Sequence, residues 1–132
     1  YAGLSLRFSD LATAEVHTEL GPLPLSEPQA NLDAEAMDFS GLFDGYACGV
    51  AILPGEEGNK GPTPWYAIAQ PDNRFYYFSP ALLFRGARSL KAAESLDVNY
   101  RIALHPGTWS NTRLAGELSA RNASSVPIQP AP

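Results

Sequence analysis

Two histidines and a small set of carboxylates are the residues of this 132-residue chain that could carry out acid–base chemistry. His105 closes a segment of alternating residues and is followed directly by a Pro-Gly pair. An imidazole titrates near neutral pH, so a histidine at the end of a strand is suited to proton transfer. We therefore expect His105 or His17 to pair with Asp38 or Glu15 as an acid–base couple.

These residues also have structural alternatives, which the sequence leaves open. Asp38 shares a predicted strand face with Ala34 and Ala36, which places it on a partly buried face where a carboxylate needs partners. It could instead hold a turn predicted at Ser40–Gly41 through backbone amides. His105 could equally bond a loop carbonyl group.

Polar strand faces supply further candidates. Arg7, Glu15, His17 and Glu19 alternate with apolar neighbours, and Arg101 shares the polar face of the His105 segment. If these strands are neighbours, the side chains line one concave sheet face that offers guanidinium, carboxylate and imidazole groups to a ligand. The alternative is a solvated face. Glu15, His17 and Glu19 have a spacing that could hold a divalent cation, but we predict no metal or other cofactor.

Aromatic residues could provide stacking surfaces: they are Trp65, Tyr66, Tyr76, Tyr77 and Trp109. Most aromatic rings pack in cores and loops, and that is the alternative for this set. Trp65 lies between prolines and a strand-like run, so we expect it to be the principal exposed ring. Trp109, between a Gly-Thr pair and a predicted helix cap, is the second.

The elements that must position these residues are mostly short strands. Residues 3–8, 12–20 and 97–105 alternate between apolar and polar side chains, as half-buried strands do. Residues 46–53 are apolar on both faces, which is typical of a central strand. We expect further strands at 34–39, 65–69 and 75–78. In the 97–105 strand the alternation predicts four core residues, Val98, Tyr100, Ile102 and Leu104.

The strands predict an all-β fold, an antiparallel β-sandwich, with one short helix near the C terminus. Ser110 or Asn111 can cap a helix over 112–121. Residues 1–121 form the predicted domain, and the Pro- and Ser-rich residues 122–132 form a predicted flexible tail.

Composition narrows the classes of function. Hydrophobic residues make up 45% of the chain, enough for a folded core. The nine basic residues are scattered, so we expect no nucleic-acid partner. No apolar run approaches the roughly 20 residues of a membrane helix, so we expect no membrane partner. The single cysteine, Cys48, excludes an internal disulfide. Nothing indicates a cellular compartment.

Several segments resemble the PmoA-like family, which is also labelled methane oxygenase PmoA. They are YAGLSLRF (1–8), MDFSGLFDGYACGVAIL (37–53), PTPWYAI (62–68), YFSPALLFRG (77–86) and SLKAAESLDVNYRIALHPGTW (89–109). The resemblance covers about residues 1–121, and family members are about twice as long. It implies that the chain is the C-terminal half of a larger domain similar to galactose-mutarotase-like supersandwich proteins.

The resemblance implies a role in carbohydrate metabolism, with a sugar bound or acted on by acid–base chemistry. Copper-dependent oxygenase chemistry would need membrane helices and clustered histidines, which this sequence lacks. Gly61 stands where members often have a histidine. The alternative function is a non-catalytic structural or assembly half. The implied partners are a small carbohydrate and either the remaining half of a precursor or a second copy.

Overall fold

The computed structural model describes residues 3–9, 11–25, 29–55 and 61–124. Nine strands and one helix occur in these ranges, with a short 3-10 turn at Pro71–Asn73. They are β1 (Leu6–Phe8), β2 (Ala12–Thr18), β3 (Gly21–Pro22), β4 (Gln29–Ala34), β5 (Met37–Phe43), β6 (Tyr46–Pro54), β7 (Thr63–Gln70), β8 (Phe75–Pro80), β9 (Tyr100–Pro106) and α1 (Asn111–Ser124).

The strands form two antiparallel sheets packed face to face. The four-stranded sheet has the order β1-β8-β7-β4, and the five-stranded sheet has the order β3-β2-β5-β6-β9. The predicted all-β sandwich with a short C-terminal helix is confirmed. Residues 46–54 form β6, an interior strand of the larger sheet between β5 and β9, as the apolar character of both faces predicts.

Two apolar clusters hold the layers together. The main core lies between the sheets and includes Phe39, Ile52 and Phe78, with Leu4, Leu6 and Phe8 packed against it, as the alternation of residues 3–8 predicts. A second cluster lies on the outer face of the five-stranded sheet, where Leu114 and Leu118 of α1 cover Ala51 and Leu53 of β6. The sheet is therefore buried on both faces beneath the helix.

The interpretation of residues 97–105 is wrong in part, because the strand begins at Tyr100 and lies at the edge of its sheet. Only Tyr100 packs against the main core. Val98, Ile102 and Leu104 are 39%, 47% and 81% exposed. Alternation assigned the correct face to Ile102 and Leu104, but the opposing sheet does not cover that face at its edge.

Other boundaries also differ from the sequence predictions. Residues 34–39 are not one strand, because β4 ends at Ala34 and β5 begins at Met37. Ser40–Gly41 lies inside β5, and the turn follows at Asp44–Gly45. The helix extends through Ser124, so part of the predicted tail is helical; residues 125–132 lie outside the described residues. No helix in the described ranges has the length and apolar character needed to cross a membrane.

Candidate functional site

Asp38 and His105 form a buried pair on the outer face of the five-stranded sheet. His105 Nε2 lies 2.6 Å from Asp38 Oδ1, and the side chains are 4% and 0% exposed. The hydroxyl of Ser40 and the backbone N–H of Trp109 donate to Asp38 Oδ2. The carboxylate thus has partners at both oxygens, as a buried acid requires.

Strand register explains why these residues meet. Ser40, Gly49 and His105 are direct cross-strand neighbours on β5, β6 and β9. A Cβ built on Gly49 would contact Ser40 Oγ and lie 2.6 Å from His105 Cε1. The missing side chain of Gly49 therefore leaves the space that the imidazole needs to cross β6 and reach Asp38.

Trp109 closes this cluster from the other side. Its ring stacks on the His105 imidazole with centroids 4.2 Å apart and planes 14° apart, while the Arg113 guanidinium lies 5.1 Å from the Trp109 ring centroid. Ser110 Oγ accepts a hydrogen bond from the Arg113 N–H and caps α1. The imidazole is therefore enclosed between the sheet and the start of the helix.

Burial raises the pKa of the Asp38 carboxyl above its ordinary value, although the hydrogen bonds from Ser40, His105 and Trp109 act in the opposite direction. The predicted contact between Asp38 and His105 is present, and the ring of Trp109 covers one face of the imidazole. The geometry gives the pair a clear structural effect, since it fixes Trp109 and the first turn of α1 on the sheet.

Glu15 and His17 share the face of Asp38 but do not join its cluster. Cross-strand register places Glu15 opposite Ser40 and His17 opposite Asp38. His17 Nδ1 is buried and has no hydrogen-bond partner among the described residues. Glu19 does not contact this cluster; its carboxylate accepts hydrogen bonds from the backbone N–H groups of Glu35 and Ala36, between β4 and β5. No group of three metal-ligating side chains occurs within the described residues.

The remaining predicted residues do not converge on this face. Arg7 lies on the four-stranded sheet, where β1 pairs with β8 rather than β2. Arg101 is on the outer face of β9, as predicted, and its guanidinium binds Glu117 of α1 at 2.6 Å. The predicted single concave face that includes Arg7, His17 and His105 is therefore wrong.

Neither tryptophan offers a free ring. Trp65 is 1% exposed in the main core, and its Nε1–H donates to the carbonyl oxygen of Ala34 at 2.9 Å. The expectation that Trp65 is an exposed stacking surface is wrong, because its alternating position on β7 points between the sheets. Trp109 is covered by His105 on one side and Arg113 on the other.

A row of four aromatic rings instead occupies the outer face of the four-stranded sheet. We call the half-buried residues Tyr66, Phe75, Tyr77 and Phe84 the aromatic row. Phe75 and Tyr77 are nearly parallel, with centroids 6.2 Å apart. Tyr66 lies 6.2 Å from Tyr77 and 6.0 Å from Phe84. The row is therefore continuous across β8, β7 and the turn that follows β8.

Polar side chains border the aromatic row. The Arg7 guanidinium lies over the Phe75 ring, 4.9 Å from its centroid, and covers part of that ring. Gln70 is the cross-strand neighbour of Phe75, and Asn31 is the neighbour of Tyr66. At the other end of the row, Arg85 and Asp33 form an ion pair at 2.7 Å. Apolar ring surface and hydrogen-bonding groups thus occur side by side on one sheet face.

Sequence reasoning missed the aromatic row as a unit, although it named Tyr66 and Tyr77 as aromatic surface. The pattern that indicates the row is the alternation along β8: Phe75 and Tyr77 point to one face of the strand, and the buried Tyr76 and Phe78 point to the other. It also missed Gly49, whose place inside an apolar strand indicates a close approach by another group.

The sequence profile of DUF6807, a family of unknown function, matches residues 1–119. The chain therefore belongs to this family. Searches of curated proteins and of solved structures found no match.

Proposed function

We propose that this DUF6807 protein binds carbohydrate chains on the aromatic row of its four-stranded sheet. The observation that carries the proposal is the continuous set of half-buried but accessible rings, with Arg7, Asn31 and Gln70 beside them. The sequence resemblance to PmoA-like proteins adds support, because it implies a role in carbohydrate metabolism.

The chemistry of a sugar ring fits this face. One side of a pyranose ring presents C–H groups, which pack on the electron-rich face of an aromatic ring. Its rim presents hydroxyl groups, which need paired donors and acceptors. The aromatic row supplies the first kind of contact, and the guanidinium and amide groups beside it supply the second.

The row favours an oligosaccharide over a single sugar. Four rings linked by three contacts of about 6 Å extend beyond the footprint of one pyranose. A chain of sugars can therefore contact successive rings, and several weak contacts add up along the chain.

The proposal is for binding rather than turnover at this face. Asp38 and His105 lie on the other sheet and are enclosed by Trp109. A sugar held on the aromatic row is therefore separated from the acid–base pair by the thickness of the sandwich.

A screen of soluble polysaccharides by affinity electrophoresis tests the proposal. The wild-type chain is compared with Tyr77→Ala, which removes the central ring, and with Tyr46→Ala as a matched control. Tyr46 is 75% exposed on β6 of the other sheet. We expect retardation of the wild type and of Tyr46→Ala by the same polysaccharide, and at least about tenfold weaker binding by Tyr77→Ala.

Two results would count against the proposal. One is the absence of retardation by every neutral and acidic polysaccharide in the screen. The other is retardation that Tyr77→Ala leaves unchanged, which would place binding elsewhere on the chain.

A further inference from the structure

The free edge of β9 is the longest exposed apolar strand edge in the described part of the chain. Within those residues, β9 pairs with β6 alone and its register contains no bulge. The edge strands β1 and β3 have only 3 and 2 residues. The edge strand β4 carries Asp33, which pairs with Arg85. Charges, bulges and short lengths protect sheet edges against pairing, and β9 has none of these features on its apolar face.

Hydrogen bonds at both ends of β9 show which backbone groups point outward. Gly55 N–H donates to the Asn99 carbonyl, and Gly107 N–H donates to the Ala47 carbonyl. In an antiparallel ladder the bonded pairs recur every second residue. Arg101, Ala103 and His105 therefore bond to β6. The N–H and C=O groups of Tyr100, Ile102 and Leu104 point toward the free edge.

The side chains at this edge are apolar on the inner face of the sheet. Ile102 and Leu104 are 47% and 81% exposed. A shallow apolar groove beside them is lined by Phe8, Phe43 and Val50. An extended strand added at this edge would form hydrogen bonds with the outward-facing backbone groups of β9 and would also cover Ile102 and Leu104.

We propose that two copies of this chain associate by antiparallel pairing of their β9 edges about a two-fold axis. The edge is self-complementary in this arrangement. With the axis at Ala103, Ile102 lies opposite Leu104 of the second copy, and Leu104 lies opposite Ile102 of the second copy. Each such pair exchanges two N–H to C=O bonds, so the central register provides four bonds and two apolar contacts.

The charges of β9 favour a second copy as the partner. The chain has a net charge of −5, but β9 itself contains no acidic residue. Its one formal charge, on Arg101, points to the outer face and is bound to Glu117. Two negatively charged chains can therefore meet at this edge without placing like charges opposite each other. The result is one ten-stranded sheet. The inference is independent of carbohydrate binding, because the aromatic row lies on the other sheet.

A concentration series in analytical ultracentrifugation tests the association. We compare the wild type with Leu104→Lys and with the matched control Leu20→Lys, which changes a leucine 72% exposed near β3. Neither side chain is buried, so both variants are expected to fold. We expect the wild type and Leu20→Lys to dimerise, and the dissociation constant of Leu104→Lys to rise at least about 100-fold.

Cross-linking tests the register. In a Cys48→Ala background, Ala103→Cys places two thiols in a non-hydrogen-bonded pair, at a separation that suits a disulfide. Leu104→Cys places them farther apart. We expect Ala103→Cys to cross-link at least about tenfold faster than Leu104→Cys.

Three results would overturn the inference. They are a wild type that stays monomeric at every concentration, a dimer that Leu104→Lys leaves intact, and faster cross-linking of Leu104→Cys than of Ala103→Cys.

Discussion

Replacing Gly49 by alanine is the sharpest perturbation of the buried Asp38–His105 cluster. The new methyl group would contact Ser40 Oγ and lie 2.6 Å and 2.9 Å from Cε1 and Nε2 of His105. Both neighbours are buried, and the imidazole cannot move away because Trp109 stacks on its other side. Either the strands separate or the hydrogen bond to Asp38 breaks.

The expected loss of stability follows from three contributions. Overpacking a filled site costs about 1–3 kcal/mol. Loss of a buried hydrogen bond to a charged group costs about 1.5–3 kcal/mol. Alanine in place of glycine inside a strand returns about 0.5–1 kcal/mol. We therefore expect Gly49→Ala to lower the free energy of unfolding by about 2–5 kcal/mol.

Urea denaturation followed by tryptophan fluorescence measures this change. The matched control is Gly116→Ala, which makes the same substitution on the exposed face of α1. Its Cβ would meet nothing within 4 Å. The control should raise stability by about 0.5–1 kcal/mol. If Gly49→Ala also raises stability, or costs less than about 0.5 kcal/mol, the close approach of Ser40 and His105 to β6 is refuted.

Three further predictions concern burial and protonation. The carboxyl ¹³C signal of Asp38 should titrate above the ordinary aspartate pKa of about 3.9, because burial disfavours its charged form. The folded state then holds this proton more tightly than the unfolded state. The stability that protonation of Asp38 contributes is therefore greatest below about pH 4 and declines as the pH rises through the folded pKa. A titration midpoint at or below about 3.9 would contradict the raised pKa. Ile52→Ala should lower the free energy of unfolding by about 2–5 kcal/mol, because Ile52 is 0% exposed. Ile102→Ala in the monomer should lower it by less than about 1 kcal/mol, because Ile102 is 47% exposed. Equal costs in denaturation experiments would refute the edge position of β9. Trp65→Phe should cost about 1–3 kcal/mol by the same assay, because it removes the buried hydrogen bond from the Trp65 indole N–H to the carbonyl oxygen of Ala34; an unchanged midpoint would show that this bond contributes nothing.

Local sequence patterns predicted most of the strands, although not β3 or β4, and they did not predict which strands are neighbours. The alternation of residues 3–8 correctly placed Leu4, Leu6 and Phe8 toward the core, because side chains of a strand point to two faces in turn. Whether β1 lies beside β2 or β8 depends on contacts between residues far apart in the chain. Arg7 was therefore grouped with His17, although the two lie on different sheets.

Alternation also cannot show whether a face is covered. Ile102 and Leu104 point to the inner face as their pattern predicts, but they lie beyond the edge of the opposing sheet. Trp65 was correctly placed in a strand, but its neighbouring prolines suggested an exposed ring, whereas its position on β7 points the ring between the sheets. The contact of Asp38 with His105 was predicted, but its enclosure depends on Gly49 and the docking of α1.

The central claim, carbohydrate binding on the aromatic row, is tested most directly by NMR titration with an oligosaccharide taken from a polysaccharide that retards the chain. Aromatic signals of Tyr66, Phe75, Tyr77 and Phe84 are followed together with the imidazole signals of His17. We predict saturable shifts in the rings of the row and none at His17, which lies on the other sheet. Shifts centred on His17, or no shifts at millimolar ligand, would contradict the claim.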